Sequence, residues 1–206
     1  MIDNEDELRS LYRPAGAGVI RKQIDHVDEG AAGFLAAATL AIVATAGPNG
    51  ADASPRGGPP GFVKALSPKQ IAFGDLAGNN RLDTYANLTS HPAIGMLFIV
   101  PGLEETLRIN GRARVSTDAD VLAAVAFDER TPKVAVVLDV DECFIHCAKA
   151  LRRSGIWDTS TWPEEGARPS PVAILTTHLD LDVSPDLVAV DLEAAYQHTL
   201  WEHGGT

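Results

Sequence analysis

Along the chain the spacing of apolar residues changes from helical to alternating and back to helical. Asp3–Tyr12 and Val19–His26 predict short helices with polar outer faces, interrupted by Pro14, Gly16 and Gly18. Asp28–Ala38 predicts a third helix. From Thr39 to Thr45 the residues become β-branched and apolar, and Gly47-Pro48-Asn49-Gly50 is a strong turn signal before Ala51–Arg56, which predicts a hairpin. Gly57-Gly58-Pro59-Pro60-Gly61 lacks the amides and side chains of a helix or an interior strand, so it is expected as a rigid loop leading into Phe62–Leu66. A further turn, Ser67-Pro68-Lys69-Gln70, returns the chain to a strand at Ile71–Gly74.

The second half repeats this alternation. Gly78-Asn79-Asn80-Arg81 reads as a turn, followed at once by an amphipathic helix over Leu82–Leu88 that His91-Pro92 stops. Ala93–Val100 is almost continuously apolar and predicts a strand buried on both faces. Glu105–Val115 alternates, with Leu107, Ile109, Gly111, Ala113 and Val115 on one face and Thr106, Arg108, Asn110, Arg112 and Arg114 on the other. Thr117-Asp118 caps a helix expected over Ala119–Phe127, Lys133–Val140 predicts another strand, and Glu142–Arg153 a helix with a basic end. Beyond Ser154 the prolines and tryptophans predict irregular chain, then helices at Val172–Leu179 and Pro185–Trp201, the last with Ser184 as cap and Pro185 in its first turn. Short strands in hairpin order, with one helix between the fourth and fifth, predict a mainly β protein with peripheral helices (α+β) built as an antiparallel barrel.

Composition narrows the function classes. The 206 residues suit one domain, expected to span 1–206 with N-terminal helices over about 3–38 and a helical extension over about 165–206. Hydrophobic content of 45% and charged content of 22% are those of a globular protein, and the longest apolar run, Phe34–Ala46, is too short for a membrane span. The acidic Met1–Glu7 lacks the order of a secretion signal, so a cytoplasmic location is the expectation. A net charge of −11 argues against nucleic acid and anionic membrane as partners. Cys143 and Cys147, four apart on the expected helix, are geometrically poor disulfide partners, and with His146 they lack the second ligand pair a closed zinc site needs, so no metal is expected.

The local exceptions to this acidity carry the candidate chemistry. Arg108, Arg112 and Arg114 fall within seven residues, and Lys149, Arg152 and Arg153 lie together further on; each cluster suits either a small anionic ligand or a solvated face paired with carboxylates. At Gly78–Arg81 the amides of Asn79, Asn80 and Arg81 would point out of a helix N-terminus, where the helix dipole and the forked guanidinium of Arg81 suit a phosphate. The plain alternative is that Asn79 and Asn80 are turn formers and Arg81 a surface residue. His26, His91, His178, His198 and His203 have no partner that the sequence identifies.

The order of these elements, with Ser54-Pro55-Arg56-Gly57, Gly78-Asn79-Asn80-Arg81-Leu82-Asp83, Glu105–Ala113, Phe144–Leu151 and Ile156-Trp157, resembles the FMN-binding split-barrel superfamily of pyridoxamine 5′-phosphate oxidase-like flavoproteins. The resemblance implies an antiparallel split β-barrel, an FMN cofactor at a homodimer interface and an oxidoreductase acting on a small molecule. It assigns Asn79, Asn80 and Arg81 to the flavin phosphate. Arg56 and Lys64 fall where relatives direct basic side chains at the phosphate, the ribityl chain or a substrate anion. Phe62 and Val63 match the backbone along the ring edge, Asp75 a position close to the cofactor, and Thr106 a polar position near the isoalloxazine. Lys149 and Trp157 correspond to the region supplied by the partner subunit, and no residue is assigned a catalytic role. The chain departs from the vitamin-forming oxidases in lacking an Arg-x-His element after Trp157 and in carrying the Gly57–Gly61 loop as an insertion. The resemblance therefore implies the cofactor and not the vitamin reaction.

Two other functions fit the same barrel. One is a deazaflavin-dependent reductase. The other is a non-catalytic module holding flavin, or haem with His146 and Cys147 as the residues to inspect. A flavin enzyme needs no nucleophile–base constellation, and the sequence contains none that stands out.

Overall fold

The computed structural model describes residues 1–201; His203, and with it the end of the expected extension at Gly204-Gly205-Thr206, lies outside the described residues. Helices α1 (Glu5–Ser10), α2 (Ala17–Arg21) and α3 (Glu29–Ala37) precede strands β1 (Leu40–Gly47), β2 (Gly50–Gly57), β3 (Val63–Ser67) and β4 (Gln70–Gly74). Helix α4 (Asp83–Ser90) leads to β5 (Ala93–Ile99) and β6 (Thr106–Ser116), then α5 (Ala119–Ala124) and β7 (Ala135–His146). Helices α6 (Lys149–Ser154), α7 (Pro171–His178) and α8 (Pro185–Thr199) follow, with two single 3-10 turns between α6 and α7. Among the described residues no helix is long and apolar enough to cross a membrane.

All seven strands pair antiparallel in the order β2-β1-β5-β6-β7-β4-β3. Strands β2 and β3 are consecutive in sequence yet stand at opposite edges. The six peptide units from Gly57 to Val63 reach at most about 21 Å. A flat sheet of this size would hold its edge strands about 29 Å apart. The sheet therefore curls until its edges approach. Backbone bonds from Gly58 N to Thr39 O (3.1 Å) and from Gly61 N to Ala38 O (3.3 Å) pin the connecting loop over the gap. One core fills the resulting split barrel: Val43 of β1, Val63 of β3, Phe73 of β4, Met96 and Phe98 of β5, Ile109 of β6 and Leu138 of β7 belong to a single buried cluster. Helix α3 closes the seam with Ala31 and Leu35, and Asp28 caps it by accepting from the amide of Ala31 at 2.8 Å.

Three local expectations are corrected. The apolar run Ala93–Val100 was expected to be buried on both faces, but β5 alternates: Ile94, Met96 and Phe98 are buried, while Gly95, Leu97 and Ile99 are half-buried. The outer side chains of β5 are thus only partly covered among the described residues. Glu142–Arg153 is not one helix. Residues 142–146 continue β7, because past a register shift at Asn110/Gly111 β6 still offers partners from Asn110↔Glu142 to Thr106↔His146, and ladder pairing outweighs the helical spacing. Only Lys149–Ser154 is helical, so Cys143 and Cys147 do not share a helix face: Cys143 is buried in β7 and Cys147 is exposed beyond its end. Val19–His26 is likewise shortened. Helix α2 ends at Arg21, and Ile24 instead exchanges backbone bonds with Cys143 (3.0 and 2.7 Å) on the edge of β7 that β4 leaves free.

Candidate functional site

A cleft of about 320 Å³ lies at the seam of the barrel between the end of β2, the end of β4 and the start of α4. Its position follows from the curl, since strands at opposite ends of the sheet order meet only there. On β2 the period of two sends Asp52, Ser54 and Arg56 to one side. The carboxylate of Asp52 accepts from the hydroxyls of Ser54 (3.0 Å) and Thr84 (3.2 Å). Arg56 donates to Thr84 Oγ1 (2.9 Å) and to the carbonyl of Pro55 (2.8 Å), and its guanidinium stands 5.9 Å from the ring centre of Tyr85. Thr84 is buried and Arg56 half-buried, so this network holds a cation at the cleft wall in a fixed orientation.

Across the cleft, Tyr85 donates to Asp75 Oδ1 at 2.8 Å. Burial, reinforced by that hydrogen bond, pushes the phenol above its ordinary value and keeps it protonated. Phe62 and Phe73 supply the apolar floor. The Gly78–Arg81 turn forms the rim, and it sits one residue further from the helix than the sequence implies. Asn80 and Leu82 adopt left-handed backbone angles (φ 56° and 60°), and α4 begins only at Asp83, with Leu82 as an N-cap lacking any side-chain cap bond. Asparagine tolerates that conformation, whereas for leucine it costs about 1 kcal/mol. The amide of Arg81 is taken by Asn79 Oδ1 (3.1 Å). The first turn of α4, beginning at Asp83, has no side-chain cap for its amides, and its residues Asp83, Thr84 and Tyr85 line the cleft. Arg81 is exposed and donates to Asp83 Oδ2 at 2.8 Å, a solvent-screened pair that an incoming anion can displace.

Of the residues expected from sequence, the cleft brings together Arg56, Phe62, Asp75, Asn79, Asn80 and Arg81. Lys64 lies outside it, on an adjoining apolar cavity of about 100 Å³ that shares Phe62, Gly74 and Leu76 with the cleft wall. Val63 is buried in the core rather than in the cleft lining. Thr106 is buried at the start of β6, opposite His146. Lys149 is exposed at the head of α6, and Trp157 donates to the carbonyl of Leu103 at 3.0 Å beside a separate depression. The other arginines of β6 serve the barrel exterior: Arg114 pairs with Asp139 (3.2 Å) and Arg108 stacks 4.4 Å from the Phe144 ring centre. Arg152 pairs with Glu104 at 2.6 Å. His146 and Cys147 lie on that exterior as well, away from the cleft, and among the described residues no group of His, Cys, Asp or Glu is placed to hold a metal. The sequence reading missed Asp52, Thr84 and Tyr85. The signals were available: Asp52-x-Ser54-x-Arg56 alternates along one strand, and Thr84-Tyr85 open the helix after the turn.

The fold and cleft define a split-barrel protein with a seam cleft that carries a fixed cation. Residues 27–147 match the family described as pyridoxamine 5′-phosphate oxidase, and the chain belongs to that family. No curated protein matches the chain. Among solved structures, HupZ of Group A Streptococcus is 17% identical over 58% of this chain and 93% of its own, with a TM-score of 0.48. An FMN-binding protein of Syntrophomonas wolfei subsp. wolfei is 12% identical over 55% and 81%, at 0.41. The FAD binding protein of Mycobacterium smegmatis is 13% identical over 60% and 97%, at 0.43. Likenesses this distant add nothing to the assignment, which rests on the family match and the geometry.

Proposed function

We propose that this chain binds FMN in the seam cleft and acts as an FMN-dependent oxidoreductase on a small molecule, working as a homodimer. The observation that carries the reading is the fixed cation of Arg56 facing the uncapped first turn of α4 within one cleft. Together they form a phosphate cradle that needs no rearrangement. Arg81 closes over the same anion by exchanging its Asp83 partner. Phe62, backed by the buried Phe73, offers an apolar edge against which the planar ring can lie, and the protonated phenol of Tyr85 orients Asp75 beside it. A bound flavin supplies hydride or electron transfer; the protein positions it and keeps bulk water from one face.

The homodimer is supported by the barrel exterior. Leu40, Ile42, Leu97 and Ile99 form a half-buried apolar strip across β1 and β5, and next to it the buried Nε of Arg108 has no hydrogen-bond partner among the described residues. A second protomer would cover the strip and supply an acceptor. The substrate is proposed to differ from pyridoxamine 5′-phosphate, because the Arg-x-His element that reads the vitamin in the oxidases is missing after Trp157.

The test is an absorbance spectrum of the freshly purified protein, followed by titration of the stripped protein with FMN. Saturable binding with the flavin absorbance bands is expected, light scattering should give twice the chain mass, and pyridoxal 5′-phosphate should not form from pyridoxamine 5′-phosphate. Failure to bind FMN in excess refutes the reading, and a deazaflavin or a haem Soret band in its place replaces it.

A further inference from the structure

Both ends of the described chain form helices that bury nothing. Helices α1 and α2 contain no buried residue, and neither do α7 and α8, whose main packing is on one another. Helices this short are marginal in water unless an apolar face is covered. Yet Leu11, Tyr12, Val19 and Ile20 stand 60–70% exposed at the N-terminal end, and Leu187 and Val190 of α8 stand 62% and 67% exposed. Ile174 of α7 is 51% exposed. The end of α8 touches the body through an edge-on contact of Trp201 with Phe127 at 5.5 Å between ring centres.

The two ends are opposite in charge. From Leu8 to Lys22 the ionisable residues of fixed charge are Arg9, Arg13, Arg21 and Lys22, with no carboxylate among them. From Pro171 to Trp201 they are Asp180, Asp182, Asp186, Asp191 and Glu193, with no lysine or arginine. Arg9 is paired to Glu5 within α1, and Lys22 donates to the carbonyl of Ile145. Arg13 and Arg21 have no ion pair among the described residues, and neither does any of the five carboxylates. A basic segment and an acidic one, both with exposed apolar side chains, are complementary in apolar surface and in charge.

We propose that the N-terminal segment Leu8–Lys22 of one copy docks against the α7–α8 pair of a second copy, and reciprocally, so that the proposed homodimer is clasped by exchanged ends. The occupant is a second copy and not the same chain. Covalent linkage would give the two segments a high effective concentration within one chain. The single chain nevertheless leaves both apolar faces in solvent. A two-fold arrangement satisfies both pairs at once and closes, leaving no free end to propagate. The apolar residues form the centre of each contact and the charges its rim, where they set register and steer encounter. The inference rests on the homodimer of the preceding reading and is independent of which cofactor the cleft holds.

Charge reversal in the full-length chain tests it. One variant carries Arg13→Glu and Arg21→Glu, the other Asp186→Lys and Asp191→Lys, and the dimer dissociation constant of each is measured by sedimentation. Each alone should weaken the dimer by about tenfold or more, and an equimolar mixture should return to within about threefold of wild type, because in the mixed dimer every basic segment again faces an acidic one. That recovery also shows both variants to be folded. Unchanged self-association of either variant, or a mixture no tighter than its components, overturns the exchange while leaving the dimer reading intact. A wild-type chain that stays monomeric overturns the dimer and the exchange together, and the FMN titration then stands as a separate measurement.

Discussion

Replacing Arg56 by methionine removes the cation from the cleft, with its contact over Tyr85, while keeping an unbranched side chain in its place. In the structure this guanidinium is held from two sides, by Thr84 Oγ1 at 2.9 Å and the carbonyl of Pro55 at 2.8 Å, so it is already oriented before any ligand arrives. The loss is then that of one charge-assisted contact in a half-buried setting, about 2 kcal/mol, or a ~30-fold weaker FMN dissociation constant. Folding should be nearly unaffected, since Thr84 retains its bond to Asp52 at 3.2 Å. Arg81→Met provides the comparison. Its side chain is exposed and already engaged by Asp83, so its effect should be smaller, about threefold to fivefold. The assay is titration of stripped protein with FMN, followed by quenching of flavin fluorescence, at fixed ionic strength. An Arg56→Met affinity within about twofold of wild type would show that the phosphate does not sit between β2 and α4, and would remove the basis of the proposed function.

Three further outcomes follow from the barrel. Gly111→Ala places a methyl group against the carbonyl oxygen of Asp139 where the β6–β7 register shifts, and should lower stability by about 2 kcal/mol in urea unfolding; an unchanged midpoint would mean that the ladder yields there at no cost. Cys147 is exposed and its thiol is lowered by a backbone hydrogen bond at Lys149, whereas burial raises Cys143 to about 11, so a thiol reagent at neutral pH should label Cys147 alone in the folded protein and both after unfolding. Equal labelling of the two in folded protein would contradict the burial of β7. Burial, then Arg108 and Lys22, hold His146 below its ordinary 6.5, so the unfolded chain binds the extra proton first and stability should fall as pH drops through 6.5 toward the folded value. His146→Gln should flatten that acid-side slope, and a nuclear magnetic resonance titration placing His146 at or above 6.5 would refute the sign.

Much of the strand content was readable because hairpins are local. Gly47–Gly50 and Ser67–Gln70 carry their own turn chemistry, and most of the alternation of Glu105–Val115 survives in β6, although Thr106 of the expected wet face is buried. The turn at Gly78–Arg81 was also readable as part of a cleft, since Asn79, Asn80 and Arg81 do line it. The roles within the turn were not. Whether Arg81 or Arg56 is the fixed cation depends on Asp83 and Thr84 reaching back to them, which no spacing rule encodes.

By itself, then, the sequence determined most of the element types, the barrel class and part of the candidate site, because propensity, turn formation and period act over a few residues. Tertiary structure decided the rest. It converted the predicted helix at Glu142–His146 into strand, because β6 presented an unpaired edge. It moved Ile24 out of a helix to cover Cys143. It brought Arg56 of one edge strand to Asp75 after β4, 19 positions later, by curling a sheet whose short connecting loop cannot span its flat width. Those outcomes depend on pairing and closure between distant segments, whose energies are set by geometry and not by the local run of residues.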